Sequence, residues 1–368
     1  MSASVFQRIW LPGFVLQSVV IGGGYATGRE LIEFFLSSGP VSGLLGLLAA
    51  TAMFSIVAAL CFELARLTGS YNYRSFFRHL LGRGWFVYEL AYFVLGLLVL
   101  AVVGAAAGEL AAAHLGMSNA VATVIFMALI GVLAFWGTTL IERALAGWSF
   151  VLTATFAVLA AAYLWQFGDE LRAILSVDAE ASGWFLDAVR YAGYNLVVVP
   201  VILFCASHMT SRRDAFTAGA LAGPLAMIPG CLLYLALAAS YPEILDSAVP
   251  SDFLMQKLDL PWLKIVFYVV VFGTLVETAT AFIHAVNERI AEGYRERGTA
   301  MPPWLRAVVA LAALLFAVTL ASQIGLIDLI AKGYGTLTWV FIGVFILPLC
   351  TVGVWKIWHG RGALRAVP

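Results

Sequence analysis

Ile21-Gly22-Gly23-Gly24-Tyr25-Ala26-Thr27-Gly28-Arg29-Glu30-Leu31-Ile32-Glu33 lies inside the first long apolar stretch of the chain, which runs from near Arg8 to about Leu36. Four of the seven residues from Gly22 to Gly28 are glycine. A glycine costs a helix interior about 1 kcal/mol relative to alanine, so this density opens the helix. Thr27-Gly28-Arg29-Glu30 then has the Thr-x-x-Glu form of a capping box, and a second helix is expected to start at Thr27. The segment therefore reads as two half-helices meeting near the middle of a bilayer. Unwound backbone at that depth is tolerated only where it is buried in protein or lines a cavity. In transporters such breaks build the substrate and ion sites. The competing reading is a glycine-rich packing face between helices, although close packing needs no cap sequence.

Working outward, composition agrees with a membrane setting. The 368 residues are 62% hydrophobic and only 11% charged, with mean hydropathy +0.95. A soluble domain is nearer about 25% charged. Barrel strands would alternate apolar and polar residues, whereas these segments are long and continuous, so an all-α polytopic membrane protein is expected. Net charge is zero, which gives no reason to expect a nucleic-acid partner. Arg8 is followed by a stretch too long for a signal-peptide core, and no small-residue cleavage site is visible. Cys61, Cys205, Cys231 and Cys350 sit in apolar runs without metal-ligand spacing and read as small buried hydrophobes.

Ten spans are expected, over roughly 8–36 (broken), 40–67, 82–114, 118–136, 142–167, 185–209, 213–241, 262–293, 304–321 and 325–358. Basic residues cluster in alternate loops: Arg66, Arg74, Arg78 and Arg83; Arg143; Arg212 and Arg213; Arg289, Arg295, Arg297 and Arg306; then Lys356, Arg361 and Arg365. The opposite loops are acidic, with Asp169, Glu170, Asp178 and Glu180 in one and Glu243, Asp246 and Asp252 in another. This bias puts both termini in the cytoplasm of an inner-membrane protein. Trp10, Trp85, Trp262, Trp304 and Trp355 at span ends read as interfacial anchors. Span lengths repeat with a period of five: about 28–29 residues in two and seven, 32–33 in three and eight, 18–19 in four and nine. Five is odd, so two such halves, 1–168 and 185–358, would be inverted relative to each other within a single membrane domain. Span six would mirror span one, with Asn195 and Pro200 marking its kink in Tyr191-Ala192-Gly193-Tyr194-Asn195-Leu196-Val197-Val198-Val199-Pro200. Prolines also kink membrane helices where no site exists, which is the plainer alternative. Pro224 and Pro229 are expected to bend span seven.

The stretch from Gly22 to Phe35 resembles the glycine-rich first span of the YkvI-type membrane proteins, usually Gly-Ala-Gly-Phe-Ala-Thr-Gly-Gln-Glu followed by Leu-Glu-Phe-Phe. Ala331-Lys332-Gly333-Tyr334-Gly335 in span ten also looks like theirs. Arg29 stands where Gln is usual, and Gly22-Gly23-Gly24 where the wider superfamily has Gly-Ser/Thr-Gly. That superfamily is the amino acid–polyamine–organocation group. The resemblance implies the LeuT fold, a five-plus-five inverted repeat of ten helices with the first and sixth discontinuous, and a solute-carrier role.

Physically, the inner half-helix of span one ends in unpaired carbonyls that suit a cation, and the outer one begins with free N–H groups that suit a carboxylate. Gly22, Gly23, Gly24, Tyr25 and Thr27, with Tyr194 and Asn195 from span six and Lys332 from span ten, are the candidate substrate-binding residues. In span eight Thr274, Glu277 and Thr278 share a helical stripe, and Glu277 is an ionisable group near mid-bilayer. By resemblance, the Gly22 and Gly23 carbonyls with Thr274, Glu277 and Thr278 would hold a sodium ion, oxygen being what a hard cation needs. Two alternatives stand for Glu277: a proton carrier, or a structural partner of an arginine or amide. Arg29 and Asp328 are expected to pair as an outer gate, as LeuT-fold carriers close theirs. The competing arrangement is two intrahelical pairs, Arg29–Glu33 and Asp328–Lys332. Lys332 either faces the cavity or snorkels to the surface.

His208 and His284 read as interfacial, and no nucleophile or metal set accompanies them, so no enzyme is expected and no cofactor beyond a sodium ion. The expectation is a cation-coupled secondary transporter, sodium before proton, importing a small organic solute such as an amino acid. A channel or sensor on the same scaffold is the other class.

Overall fold

The computed structural model describes residues 3–136, 148–176, 183–296 and 298–359. Arg143, Asp178, Glu180, Arg297, Arg361 and Arg365, which bear on the orientation argument, lie outside the described residues. Every regular element among the described residues is helical. In order they are α1 (Leu11–Val20), α2 (Gly23–Ala26), α3 (Arg29–Phe34), α4 (Pro40–Thr68), α5 (Tyr73–Leu81), α6 (Trp85–Leu115), α7 (Asn119–Trp136), α8 (Trp148–Leu175), α9 (Trp184–Asn195), a 3-10 stretch over Leu196–His208, α10 (Arg212–Ala238), α11 (Pro250–Leu258), α12 (Pro261–Glu296), α13 (Pro303–Ile324) and α14 (Leu326–His359), which mixes α and π turns.

Eight helices among the described residues are long and apolar enough to cross a membrane. Of the expected spans, the other two take different forms. The first is divided into α1, α2 and α3, and the fourth is α7, apolar over Asn119–Leu133. Helix ends follow local chemistry. Pro40 opens α4 after Gly39 at φ 100°, and Gly69 closes it at φ 67°. Ser211 and Asp214 form a reciprocal capping box at the start of α10.

α1, α4 and α10 pack together, with the 3-10 stretch against α1 and α4. The α4–α10 contact is close because small residues face each other. A Cβ on Gly219 would stand 2.3 Å from Ala59 Cα, and one on Gly223 would stand 2.4 Å from the Thr51 carbonyl oxygen. Of the cysteines, Cys61 and Cys205 are buried as expected, but Cys350 is exposed on the outer face of α14. Trp10, Trp262, Trp304 and Trp355 are exposed at helix ends. Trp85 is half-buried beneath the guanidinium groups of Arg74 and Arg78.

Span six does not unwind at its proline. The backbone stays right-handed through Asn195 and passes from α to 3-10 pairing, with Pro200 inside. In that pairing the missing proline N–H orphans the carbonyl three residues back, at Val197. The buried Tyr88 hydroxyl of α6 donates to it at 2.7 Å. α10 solves the same problem twice. Pro224 cannot donate to the Ala220 carbonyl, and Ser55 of α4 does so at 3.0 Å. Pro229 cannot donate to Leu225, and Gln17 of α1 does so at 2.9 Å. A neighbouring side chain thus replaces each proline's lost donor, as lipid demands.

Tyr88→Phe should destabilise the detergent-purified protein by about 1–3 kcal/mol, the cost of an orphaned buried acceptor. The loss should shrink in a Pro200→Ala background, where position 200 again has an N–H. Equal losses in both backgrounds would show that Tyr88 acts through packing instead. Gly219→Val should lower the unfolding temperature sharply, since the clash is with Ala59 backbone, while Gly343→Ala, which meets nothing within 4 Å, should not.

Candidate functional site

The hydrogen-bond ladder of span one stops with Ile21 N–H to the Gln17 carbonyl and resumes with Ala26 N–H to the Gly22 carbonyl. Ile21 is extended at φ −74°, ψ 92°. Gly28 is left-handed at φ 77° and forms the N-cap of α3. The start of this helix differs from the capping box expected at Thr27. The Thr27 hydroxyl donates to the Gly24 carbonyl at 2.7 Å and accepts from Arg29 N–H, which lets Gly28 make the turn. Glu30 is therefore free of any capping duty.

Its carboxylate points across the molecule instead. Glu30 is only 5% exposed, and Oε2 accepts from the Tyr194 hydroxyl of α9 at 2.5 Å. Gly24 backs the other oxygen, since a Cβ there would stand 2.1 Å from Oε1. Aromatic rings close the surroundings. Tyr194 stacks on Tyr334 of α14 at 4.5 Å between centroids, Phe34 lies 5.5 Å from Tyr194, and Tyr191 lies 5.8 Å from it. The Tyr25 and Tyr191 hydroxyls are buried with no hydrogen-bond partner among the described residues. Gly230 makes room for Tyr25, whose oxygen would be 2.2 Å from a Cβ there.

Of the candidate substrate residues, the structure brings Gly24, Tyr25 and Tyr194 to this carboxylate. Asn195 is buried but spends its amide on the Tyr191 carbonyl one turn back. Lys332 does not join them. It is 76% exposed and pairs with Asp328 at 2.8 Å, because Tyr334, two residues on, takes the inward face. Glu30, Tyr191 and Tyr334 were missed in sequence. A lone carboxylate within a membrane span was the available signal, but its place in Thr-x-x-Glu explained it away.

On the other side of the break, Thr278 of α12 meets Gly22, its hydroxyl oxygen 3.9 Å from the position a Gly22 Cβ would take. That hydroxyl also donates to the Thr274 carbonyl at 2.8 Å. Thr274 is buried deeper, donating to the Val270 carbonyl and accepting from the indole of Trp148. Glu277 is half-buried and makes no hydrogen bond or ion pair among the described residues.

The Arg29–Asp328 pair is not formed. Arg29 is nearly buried, pairs with Glu33 at 3.1 Å, and donates to the Leu245 and Ser247 carbonyls in the connection before α11. The same connection covers the break, with Ser251 N–H bonded to the Thr27 carbonyl at 3.0 Å and Pro250 packed on Gly28. Asp252 fastens α11 to the neighbouring helices through His114 of α6 at 3.0 Å and the Tyr268 hydroxyl of α12. Arg29 thus serves as a strut under a lid. The reason is positional: at the start of α3 it faces the loop, and α14 presents Tyr334 rather than Asp328 toward the site.

Over 354 residues the chain is 25% identical to the membrane protein YkvI of Bacillus subtilis (strain 168), covering 90% of this chain and 94% of that one. The resemblance to the YkvI-type membrane proteins is borne out. No protein-family model matches the chain. Among solved structures it is similar to MhsT in complex with L-phenylalanine, with TM-score 0.61, 17% identity, and 94% and 96% of the two chains covered. It is likewise similar to the inward-facing conformation of Mhp1, with TM-score 0.54, 16% identity, and 99% and 81% covered. A manganese transporter of Eremococcus coleocola matches at TM-score 0.55 and 14% identity, with 94% and 78% covered. The fold is therefore that of the LeuT-type transporters, in an all-helical membrane protein.

Gly24→Ala should push the Glu30 carboxylate off the Tyr194 hydroxyl and lower thermal stability, whereas Gly335→Ala, which meets nothing within 4 Å, should not. Tyr194→Phe should cost about 1.5–3 kcal/mol, the range for a hydrogen bond to a charged group. A Tyr194→Phe loss no larger than that of Tyr334→Phe would mean the hydroxyl contributes nothing beyond the ring.

Proposed function

We propose that this protein is a cation-coupled secondary transporter that imports a small organic solute, such as an amino acid, across an inner membrane by alternating access. The observation that carries the proposal is the interrupted ladder of span one, from Ile21 to Gly28, placed against Thr278. A helix end with spare carbonyls beside a hydroxyl offers oxygen ligands to a hard cation, and packed protein shields them from lipid. Sodium is the proposed ion, held by the Gly22 and Gly23 carbonyls with Thr278, Thr274 and Glu277. The lack of a partner for the Glu277 carboxylate among the described residues favours one second reading, in which this carboxylate carries a proton.

The proposed architecture is ten spans in two inverted halves, 1–168 and 185–358, with span one discontinuous at the site, span six changing helix type there without unwinding, and both termini cytoplasmic. Supporting it are the division of span one into α1, α2 and α3 and the change of helix type at Asn195 in span six. Rocking of spans one, two, six and seven against the rest would expose the site to each side in turn.

Thermal unfolding in sodium, potassium and choline chloride at equal ionic strength tests the ion. A ligand bound only by the folded state at a hundredfold excess over Kd adds about 2.7 kcal/mol. A sodium-specific rise is expected, lost in Glu277→Gln and needing more sodium in Thr278→Ala. An unchanged sodium response in both variants would move the ion elsewhere. A response to falling pH in place of sodium would make Glu277 the proton carrier.

A further inference from the structure

We propose that Glu30 anchors an ammonium group of the transported solute, with the Tyr25 and Tyr191 hydroxyls and the Tyr194 and Tyr334 rings completing the subsite. This rests on the transport reading above and names the chemistry of its cargo. A carboxylate this deep in a membrane span is costly unless a cation meets it or a proton neutralises it. Among the described residues no basic side chain meets it. Arg29, next in sequence, is committed to Glu33 and two loop carbonyls. Lys332 is held by Asp328 at the surface, and Arg190 pairs with Asp187. Among the described residues the polar groups nearby are tyrosine hydroxyls and the Cys231 thiol, none of them basic.

The unspent acceptors define the visitor. Glu30 Oε2 takes the Tyr194 hydroxyl, while Oε1 has no donor among the described residues. Two further buried oxygens, on Tyr25 and Tyr191, have no partner among the described residues. A buried polar atom left unpaired in a native structure calls for an explanation, and a bound group is one. An ammonium group carries three donors and no acceptor, the chemistry that unpaired carboxylate and hydroxyl oxygens accept from. The stacked Tyr194 and Tyr334 faces and the nearby Phe34 suit the same charge through cation–π attraction. A carboxylate placed here would face Glu30 instead. Both a simple amine and the amino end of an amino acid carry the required group, and the experiment separates them.

Thermal unfolding is measured with ethylammonium, L-alanine and propionate, at equal ionic strength and in sodium. Ethylammonium should raise the unfolding temperature of the parent protein, and propionate should not. In Glu30→Gln, which keeps an acceptor for Tyr194 but no charge, the half-maximal ethylammonium concentration should rise about tenfold or more. Should that variant not fold, Tyr25→Phe and Tyr191→Phe, which remove only unpaired hydroxyls, should each weaken the response severalfold. A response from L-alanine as strong as that from ethylammonium assigns the ammonium to an amino acid, and a stronger ethylammonium response assigns it to an amine. The proposal falls if neither ammonium compound stabilises the protein, if propionate does so equally, or if the responses survive Glu30→Gln. A Glu30-dependent shift with sodium alone would make Glu30 an ion ligand and overturn it too. Proteoliposome uptake keeps the two readings apart. A Glu30-dependent shift without uptake would leave the subsite and remove transport, and sodium-driven uptake indifferent to Glu30→Gln would do the reverse.

Discussion

Lipid offers no hydrogen bonds, so every backbone group inside this protein must find a partner within it. That requirement organises the inner helices. Three prolines delete donors at Pro200, Pro224 and Pro229, and the freed carbonyls of Val197, Ala220 and Leu225 receive Tyr88, Ser55 and Gln17 in their place. Each replacement comes from a different helix, α6, α4 or α1. The prolines therefore tie the bundle together: each missing donor that weakens one helix becomes a polar contact with another.

The break in span one obeys the same rule with a different outcome. Its ladder is interrupted, and only part of the gap is filled internally, by Thr27 on the Gly24 carbonyl and by Ser251 on the Thr27 carbonyl. The remainder lies where Thr278 and Glu30 converge from opposite sides. Residual polarity in an apolar interior costs free energy unless something occupies it. This is the physical sense in which the region is a candidate site, whereas the three proline positions, satisfied by side chains, are joints.

Charge is distributed by the same logic. Arg29 and Glu30 are adjacent yet serve opposite directions. Arg29 reaches the loop carbonyls above, and Glu30 turns into the tyrosine cluster. The connection to α11 then covers the break, held by Ser251, Arg29 and the Asp252 contacts to His114 and Tyr268. Moving that connection away must undo the Ser251 and Arg29 bonds together, so it and α3 are mechanically coupled.

Much of this was legible in residue type and order. Long apolar runs made the protein helical and membranous, since a helix alone satisfies its own backbone in lipid. Four glycines in seven residues made an opening near Gly22 unavoidable, because glycine disfavours the helix wherever it sits. Side-chain direction was another matter. Thr-x-x-Glu reads equally well as a cap or as a carboxylate aimed elsewhere, and only the αL turn at Gly28 chose between them. Lys332 was the residue expected to face inward, and the packing of α14 against α9 gave that face to Tyr334. Sequence alone determined that a polar gap would exist in the first span. Tertiary structure decided what surrounds it, because a buried carboxylate takes its chemistry from the neighbours that packing brings to it, and the Tyr194 hydroxyl that Glu30 meets and the Tyr334 ring stacked on it come from distant helices.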